Sequence, residues 1–397
     1  MASGAVQFDP ARALDYARSL ARPRRVGTAA NDEVIADLAS RLRSFGCAVE
    51  VTPVEFSSVG DVALVYFVLT AQILILVTFW TWGLNAWLAV PPAAVLASLL
   101  LSSGHLYRLA ARASLRPADP TGVTRARQWW LSRGHLYRTA NIVAQVPARL
   151  GAEAKPPFLL VAHSDSKSQA MSLPARMGLV GLSSLAAVVF AVLSLVRTVA
   201  PAVTAVAAVA GLTALVAGVP LLFLLMAGSG NTSPGAIDNA SGAGLVLHLA
   251  EYLCANSPAR PVTVLITGAE ELGLLGALAY VRDVDRAALR GGVVLNFDGI
   301  GSAGRLALVG GVGGGLAAAV RSAAQQLDIP VGSLPLVGAQ FDHLPFADAG
   351  IDAVSLVTAG LAALSVHTPQ DNAAQLDIEG FRQGGAVALQ VLEGLRG

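Results

Sequence analysis

Five short stretches carry side chains able to bind divalent metal ions and move protons. They are His163-Ser164-Asp165, the run Gly235-Ala236-Ile237-Asp238-Asn239-Ala240-Ser241-Gly242, the pair Glu270-Glu271, Asp298 in Asn296-Phe297-Asp298-Gly299-Ile300-Gly301, and His367-Thr368-Pro369-Gln370-Asp371-Asn372. Imidazole and carboxylate are donors suited to zinc and similar ions. Adjacent carboxylates can divide labour, one on a cation and one on a proton. Each stretch also has an ordinary reading. Asp238 could cap a helix, with Asn239 or Ser241 as alternatives. A glutamate pair is usually a solvated loop, and a lone histidine is more often structural than a ligand.

The elements around these residues separate them from chance. Ala48–Phe56 alternates apolar and polar residues as a half-buried strand does. Asn141–Val146, Phe158–Ala162, Val262–Thr267, Val293–Phe297, Arg305–Val309 and Ala353–Val357 are apolar runs of strand length. Between them Asn31–Phe45, Gly242–Cys254, Gly315–Leu327 and Ile378–Leu395 have helical patterning. This alternation predicts a largely parallel sheet covered by helices. His163, Glu270 and Asp298 directly follow strands, and such sheets gather ligands at the carboxyl ends of their strands. The glycine-rich run Gly310–Gly315 misses the dinucleotide fingerprint, because Leu316 stands where the last glycine is required. It reads as a strand-to-helix turn.

Composition adds a membrane. The 397 residues are 54% hydrophobic and only 13% charged, with mean hydropathy +0.61, too apolar for an ordinary soluble chain. The near balance of 27 basic and 26 acidic residues excludes the charge field of a nucleic-acid binder. No charge occurs from Val62 to Gly104, and only Arg197 interrupts Met177 to Ile237. A bilayer crossing takes about 20 apolar residues, so each block is long enough for two. Gly83, Leu84 and Asn85 mark a turn in the first, among Trp80, Trp82 and Trp87; Pro91 and Pro92 sit early in its second span. Arg197 to Pro201 marks a turn in the second, between spans at about 178–196 and 202–227.

Two hairpins return the chain to one side. The expected organisation is one α/β domain in segments 1–60, 105–176 and 230–397, interrupted by transmembrane hairpins 61–104 and 177–229. Arg108, Arg112, Arg116, Lys167 and Arg176 flank the spans on the domain side, which the positive-inside rule assigns to the cytoplasm. The first sixty residues hold no apolar run, so no cleavable signal peptide is expected. Cys47 and Cys254 lie in no metal-binding spacing and read as free thiols.

Taken together, the stretches resemble metallopeptidase family 28, the co-catalytic zinc aminopeptidases that also include glutamate carboxypeptidases and glutaminyl cyclases. The likeness rests on H-x-D at His163, G-x-x-D-N-x-S-G around Asp238, E-E-x-G-L-L-G from Glu270, N-x-D-x-x-G at Asp298, Asp342-His343-Leu344-Pro345-Phe346, and H-T-x-x-D at His367. Arg22-Pro23 and the helix up to Gly46 look like the start of that domain. The resemblance implies a three-layer α/β/α peptidase fold with a mostly parallel mixed sheet. It further implies two zinc ions, with cobalt or manganese as chemically similar occupants, bridged by Asp238. His163 and Asp298 would complete one site, Glu271 and His367 the other. Glu270 would be the general base, Asp165 would fix the His163 imidazole, and Asp371 would do the same near His367.

Two departures stand out. Val366 occupies the position where the family commonly has a tyrosine before the last ligand, and 75 residues including a membrane hairpin separate His163 from Asp238. About a dozen residues join each metal-binding stretch to the hairpin, a reach of at most ~40 Å, so the cleft is expected close to the bilayer. Peptides at or leaving the membrane are the expected substrates. A single-zinc glutaminyl cyclase and a catalytically dead receptor or scaffold are the alternatives. A transporter is disfavoured because the four spans contain no Asp, Glu, Lys or His.

Overall fold

The computed structural model describes residues 7–117, 124–152, 155–200, 204–285, 287–311, 313–334 and 339–395. Pro201 of the expected second turn, the first two residues of the expected fourth span and Val312 of the glycine run lie outside them.

The chain opens with helices α1 (Pro10–Leu20) and α2 (Ala29–Ser44), then β1 (Ala48–Ser57). Asp9 and Thr28 cap the two helices with their side chains, and Pro10 at the first helical position needs no amide hydrogen. Helices α3 (Val59–Leu84), α4 (Ala86–Leu101), α5 (Ser103–Ser114) and α6 (Arg125–Leu131) lead to β2 (Leu136–Val146), β3 (Phe158–His163) and the short β4 (Ser168–Gln169). Helices α7 (Leu173–Val199) and α8 (Thr204–Leu224) precede β5 (Ser229–Gly230), α9 (Gly242–Asn256) and β6 (Val262–Thr267). Then follow α10 (Leu275–Asp283), β7 (Val293–Phe297), β8 (Arg305–Gly310), α11 (Gly315–Gln326), β9 (Val331–Ser333), α12 (His343–Asp348), β10 (Asp352–Ala359) and α13 (Ile378–Gly394).

Eight strands form one sheet in the order β1-β2-β6-β3-β7-β10-β8-β9. The central strands β6, β3, β7 and β10 are parallel, while β1, β2 and β8 add antiparallel pairings. Successive side chains of a strand face opposite layers. Leu160 and Ala162 of β3 pack with α1, α2, α9 and α13, while Leu159 and Val161 pack with Val281 of α10 and Phe346 of α12. The expected three-layer mixed fold is therefore present.

Both apolar blocks are insertions at strand ends. β1 and β2 pair antiparallel with Ser57 opposite Leu136, and the Ser58 amide donates to the His135 carbonyl, so the first insertion leaves and returns at one point. The second hangs from the antiparallel pair β4 and β5, Ser168 opposite Gly230. Since β2 is antiparallel to both β1 and β6, β1 and β6 run the same way. Both insertions thus emerge beside the carboxyl ends of the parallel strands.

The inserted helices pack into one bundle whose interior is small and whose exterior is large. Ala71, Ala93, Ala187, Ala210 and Ala217 are buried with Leu96, Phe190 and Leu221, and Gln72 donates to the Gly218 carbonyl at 3.0 Å. Leu76, Trp80, Leu185, Leu212 and Leu215 point outward, each more than 60% exposed. Small residues between helices and large apolar residues outside are the pattern of helices packed in lipid.

Three helices, 63–84, 173–199 and 205–224, are long and apolar enough to cross a membrane. The second expected span differs. α4 runs through Pro91 and Pro92 from Ala86, and then bends by 70° into α5. Its 16 residues rise about 24 Å, short of a ~30 Å hydrocarbon core, so α4 and α5 qualify only as a pair. The first turn is also tighter than expected: α3 continues through Leu84, and Asn85 alone breaks it, its side chain accepting from the Trp87 amide.

Helix α9, which follows the Asp238 stretch, touches α1 at backbone distance. A Cβ on Gly244 would meet the Ala17 amide nitrogen at 2.5 Å and the Ala13 carbonyl oxygen at 2.9 Å. Overpacking of this kind costs about 1–3 kcal/mol. Gly244→Val is therefore expected to lower the thermal unfolding midpoint; an unchanged midpoint would mean that α1 is free to move away.

Candidate metal centre

The five stretches converge at the carboxyl ends of the parallel strands. His163 is the last residue of β3, and Asp298 directly follows β7. Glu270 and Glu271 open a short turn after β6, and His367 follows β10 through the turn Leu361–Ser365. Asp238 lies in an irregular turn before α9 rather than at a helix cap. Its two carboxylate oxygens diverge. Oδ1 is 3.0 Å from His163 Nε2, and Oδ2 is 3.1 Å from His367 Nε2. Asp298 lies 3.8 Å from His163 Nε2, and Glu271 lies 3.0 Å from His367 Nε2. Two donor groups result, His163–Asp238–Asp298 and Asp238–Glu271–His367, and Asp238 belongs to both. His163 Nε2 is buried without a hydrogen-bond partner. Such donors and such an orphaned nitrogen suit a divalent cation.

Backbone geometry aims these groups. Ala269, Leu274 and His367 have φ of 58°, 59° and 67°, left-handed values that cost a residue with a Cβ about 1–3 kcal/mol. Asn239 holds the Asp238 turn by donating to the Phe297 carbonyl and accepting from the Gly242 and Gly299 amides. The Asp371 carboxylate accepts from the amides of Ile237 and Asp238 at 2.7 and 3.3 Å.

Comparison with known proteins agrees with this geometry. Residues 224–392 match the family model for peptidase family M28. That segment is similar to peptidase family M28. The aminopeptidase YwaD of Bacillus subtilis (strain 168) is 32% identical over 164 residues, a match spanning 38% of this chain and 36% of that relative's length. Among solved structures, the zinc aminopeptidase BSAP from Bacillus subtilis superposes with TM-score 0.56 at 16% identity, over 98% of this chain and 95% of that one. The Porphyromonas gingivalis glutaminyl cyclase superposes with TM-score 0.54 at 16% identity, over 98% of both chains. At these identities the structural likeness establishes the fold.

Two supporting residues of the M28 segment and its surroundings act differently from expectation. Asp165 meets His163 Nδ1 through its backbone carbonyl, at 3.2 Å. The Asp165 carboxylate is 3.5 Å from that nitrogen and accepts the amides of Glu270 and Glu271 at 3.2 and 3.3 Å. It therefore orients the glutamate pair as well as the imidazole. Asp371 steadies Asp238 rather than His367, whose Nδ1 is instead 2.8 Å from Arg176 Nη2.

Three cations near the centre escaped the sequence reading. Arg24 is fully buried and donates to the carbonyls of Ser164, Pro234 and Gly235, tying the His163 and Asp238 loops together. Lys167 is 2.9 Å from Glu271 Oε2, and Arg176 meets His367. Lys167 and Arg176 looked like membrane-flanking charges, as did Arg108 and Arg116, which pair with Asp348 and Glu55. These contacts account for four of the five flanking cations without reference to the side of the membrane. No spacing marks Arg24, Lys167 or Arg176 as inward-facing.

Charge is the decisive property here. Among the described residues, the buried carboxyls Asp165, Asp238, Glu270, Glu271, Asp298, Asp342 and Asp371 cluster around His163 and His367, with Arg24, Lys167 and Arg176 as the cationic side chains beside them. Burial, Asp298 and Glu271 push the Glu270 carboxyl well above its ordinary range, against the pull of His163. Burial also raises Asp238, but the imidazoles of His163 and His367 close to its two oxygens outweigh it and hold this carboxyl well below that range. Asp342 and Asp371 are pushed up to about 7 by burial. Burial disfavours charge on His367 and His163, yet the surrounding carboxylates raise both.

The five raised groups, Glu270, Asp342, Asp371, His163 and His367, bind protons more tightly in the folded chain than in the unfolded one. Without metal, then, the contribution of Asp342 and Asp371 to stability is present below about 4, the unfolded carboxyl value, and is lost as pH rises through about 7. Chelator-treated protein is expected to unfold at a higher temperature near pH 5.5 than near pH 8, and zinc is expected to remove most of that difference. A metal-depleted protein more stable at the higher pH would contradict this charge balance.

Proposed function

We propose that the chain is a membrane-anchored metallo-aminopeptidase that removes amino-terminal residues from peptides, with two divalent cations, zinc foremost, held on either side of Asp238. The divergence of the two Asp238 oxygens towards His163 and His367 carries this reading. When bound, two such ions supply a water of lowered pKa and polarise the scissile carbonyl. His163 and Asp298 would hold one, and Glu271 and His367 the other. Asp238 is short and clamped by Asp371, as a shared ligand must be.

Glu270 is the group left free to move protons. Its Oε2 lies 3.9 Å from His163 Nε2, so it faces the donor groups while its neighbour Glu271 faces His367. A carboxylate lifted towards neutrality accepts a proton from the attacking water and returns it to the departing amine as the C–N bond breaks. Asp165 fixes both glutamate amides and so the division of their roles. Val366 offers no hydroxyl for the developing oxyanion, which leaves its stabilisation to the cations and neighbouring donors.

The cyclase fold likeness does not alter this choice. Cyclisation at one zinc would leave one complete donor group without a task, and a dead scaffold would need neither. Membrane anchoring is supported by the large, exposed apolar exterior of the bundle and by its emergence beside the carboxyl ends of the strands. The cleft then faces the bilayer, which favours peptides at or leaving it.

The test is hydrolysis of aminoacyl-p-nitroanilides by purified protein, with and without chelator. Turnover is expected to vanish on chelation and return with zinc. Glu270→Gln is expected to lose roughly 10²–10⁴ in kcat while bound metal stays the same by elemental analysis. Wild-type-like turnover in that variant would remove Glu270 from the mechanism, and chelator-insensitive turnover would remove the metals.

A further inference from the structure

The turn Leu361–Ser365 joins β10 to His367 and is built almost wholly of apolar residues, with sequence Leu-Ala-Ala-Leu-Ser. Leu361 is 85% exposed and Leu364 is 55% exposed. In a 3₁₀ turn, side chains three positions apart eclipse one another, so the two leucines present a single apolar edge. The turn packs against α7. The contact is with the start of that helix, because Arg176 in its first turn reaches His367, only two residues beyond Ser365.

Helix α7 supplies a ruler. Arg176 and Arg197 are 21 positions apart and bracket a charge-free segment. At 1.5 Å per residue they are separated by about 32 Å, close to the ~30 Å of a bilayer hydrocarbon core. Charged side chains avoid that core, so both arginines sit at its borders. The turn beside Arg176 is therefore level with one membrane interface.

We infer that Leu361 and Leu364 insert into the interfacial layer of the bilayer as a second attachment, and that the mouth of the metal centre opens directly onto lipid. This rests on the membrane-anchored reading above. Its consequence is a substrate class: peptides partitioned into the interface reach His367 and its partners along this edge. The turn holds no Lys or Arg, so the attachment is apolar and does not depend on anionic lipid.

Full-length protein in phosphatidylcholine nanodiscs containing doxyl-labelled lipid tests this with single cysteines carrying an environment-sensitive nitrobenzoxadiazole label. Cys47 and Cys254 are replaced by serine as background. Leu361→Cys is compared with Leu76→Cys on the outer face of α3 and with the fully exposed Leu150→Cys, which lies beyond the opposite end of the sheet. Leu76 and Leu361 labels are expected to be quenched, Leu361 more by shallow than by deep doxyl groups, and Leu150 not at all. Quenching at Leu76 with none at Leu361 overturns the insertion while leaving the spans intact. Absence of quenching at Leu76 overturns the membrane reading and the inference with it.

A second measurement needs no cysteine background. Leu361→Asp combined with Leu364→Asp is expected to cut kcat/KM at least about tenfold for a peptide bearing a carboxy-terminal acyl chain in vesicles, with soluble aminoacyl-p-nitroanilides cleaved as before. Equal loss on both substrates would assign the turn a structural role and overturn the insertion.

Discussion

A surplus of buried negative charge organises this protein. The buried carboxylates gathered here among the described residues repel one another too strongly to stay all ionised together in a low-dielectric interior. Burial, with neighbouring carboxylates adding to it, lifts the carboxyls of Glu270, Asp342 and Asp371. Cations relieve the repulsion, and the donor atoms are already grouped to receive them, with Asp238 serving both groups. Much of the surrounding structure holds this cluster in place. Arg24 pins two loops from beneath, Asn239 fixes the turn that carries Asp238, and the Asp371 carboxylate clamps the neighbouring amides.

The apolar helices were accommodated without disturbing that cluster because they were inserted where strands already pair. Each insertion begins and ends on facing residues of an antiparallel ladder, so the sheet closes as if the insertion were a short loop. The cost of the arrangement is proximity. The second insertion starts a few residues after Lys167, and its first helix brings Arg176 onto the histidine of one donor group. The Gln169 amide also donates to the His367 carbonyl. The apolar bundle and the candidate metal centre are therefore directly connected.

Legibility followed physical locality. The strands Val262–Thr267 and Val293–Phe297 were readable to the residue because buried parallel strands are short apolar runs bounded by polar chemistry. Helices such as Pro10–Leu20 and His343–Asp348 were not, since one is weakly apolar and the other only six residues long. The apolar blocks were plain from composition, but the 70° bend after Leu101 was not, because hydropathy alone reads the run through Gly104 as continuous. Among candidate site residues, His163, Asp238, Glu271, Asp298 and His367 were visible through their motifs. Asp371 was visible but assigned to the wrong partner, and Arg24, Lys167 and Arg176 were invisible as members of the site.

By itself the sequence determined the class of chemistry, the α/β alternation and the two apolar insertions, since residue type, periodicity and hydropathy are local properties that survive without coordinates. Only the tertiary structure decided which oxygen of Asp238 meets which histidine, which cations turn inward, and that both insertions leave from the ligand-bearing ends of the strands. Those outcomes depend on strand order and direction, which bring together residues more than 200 positions apart and which no short stretch of sequence encodes.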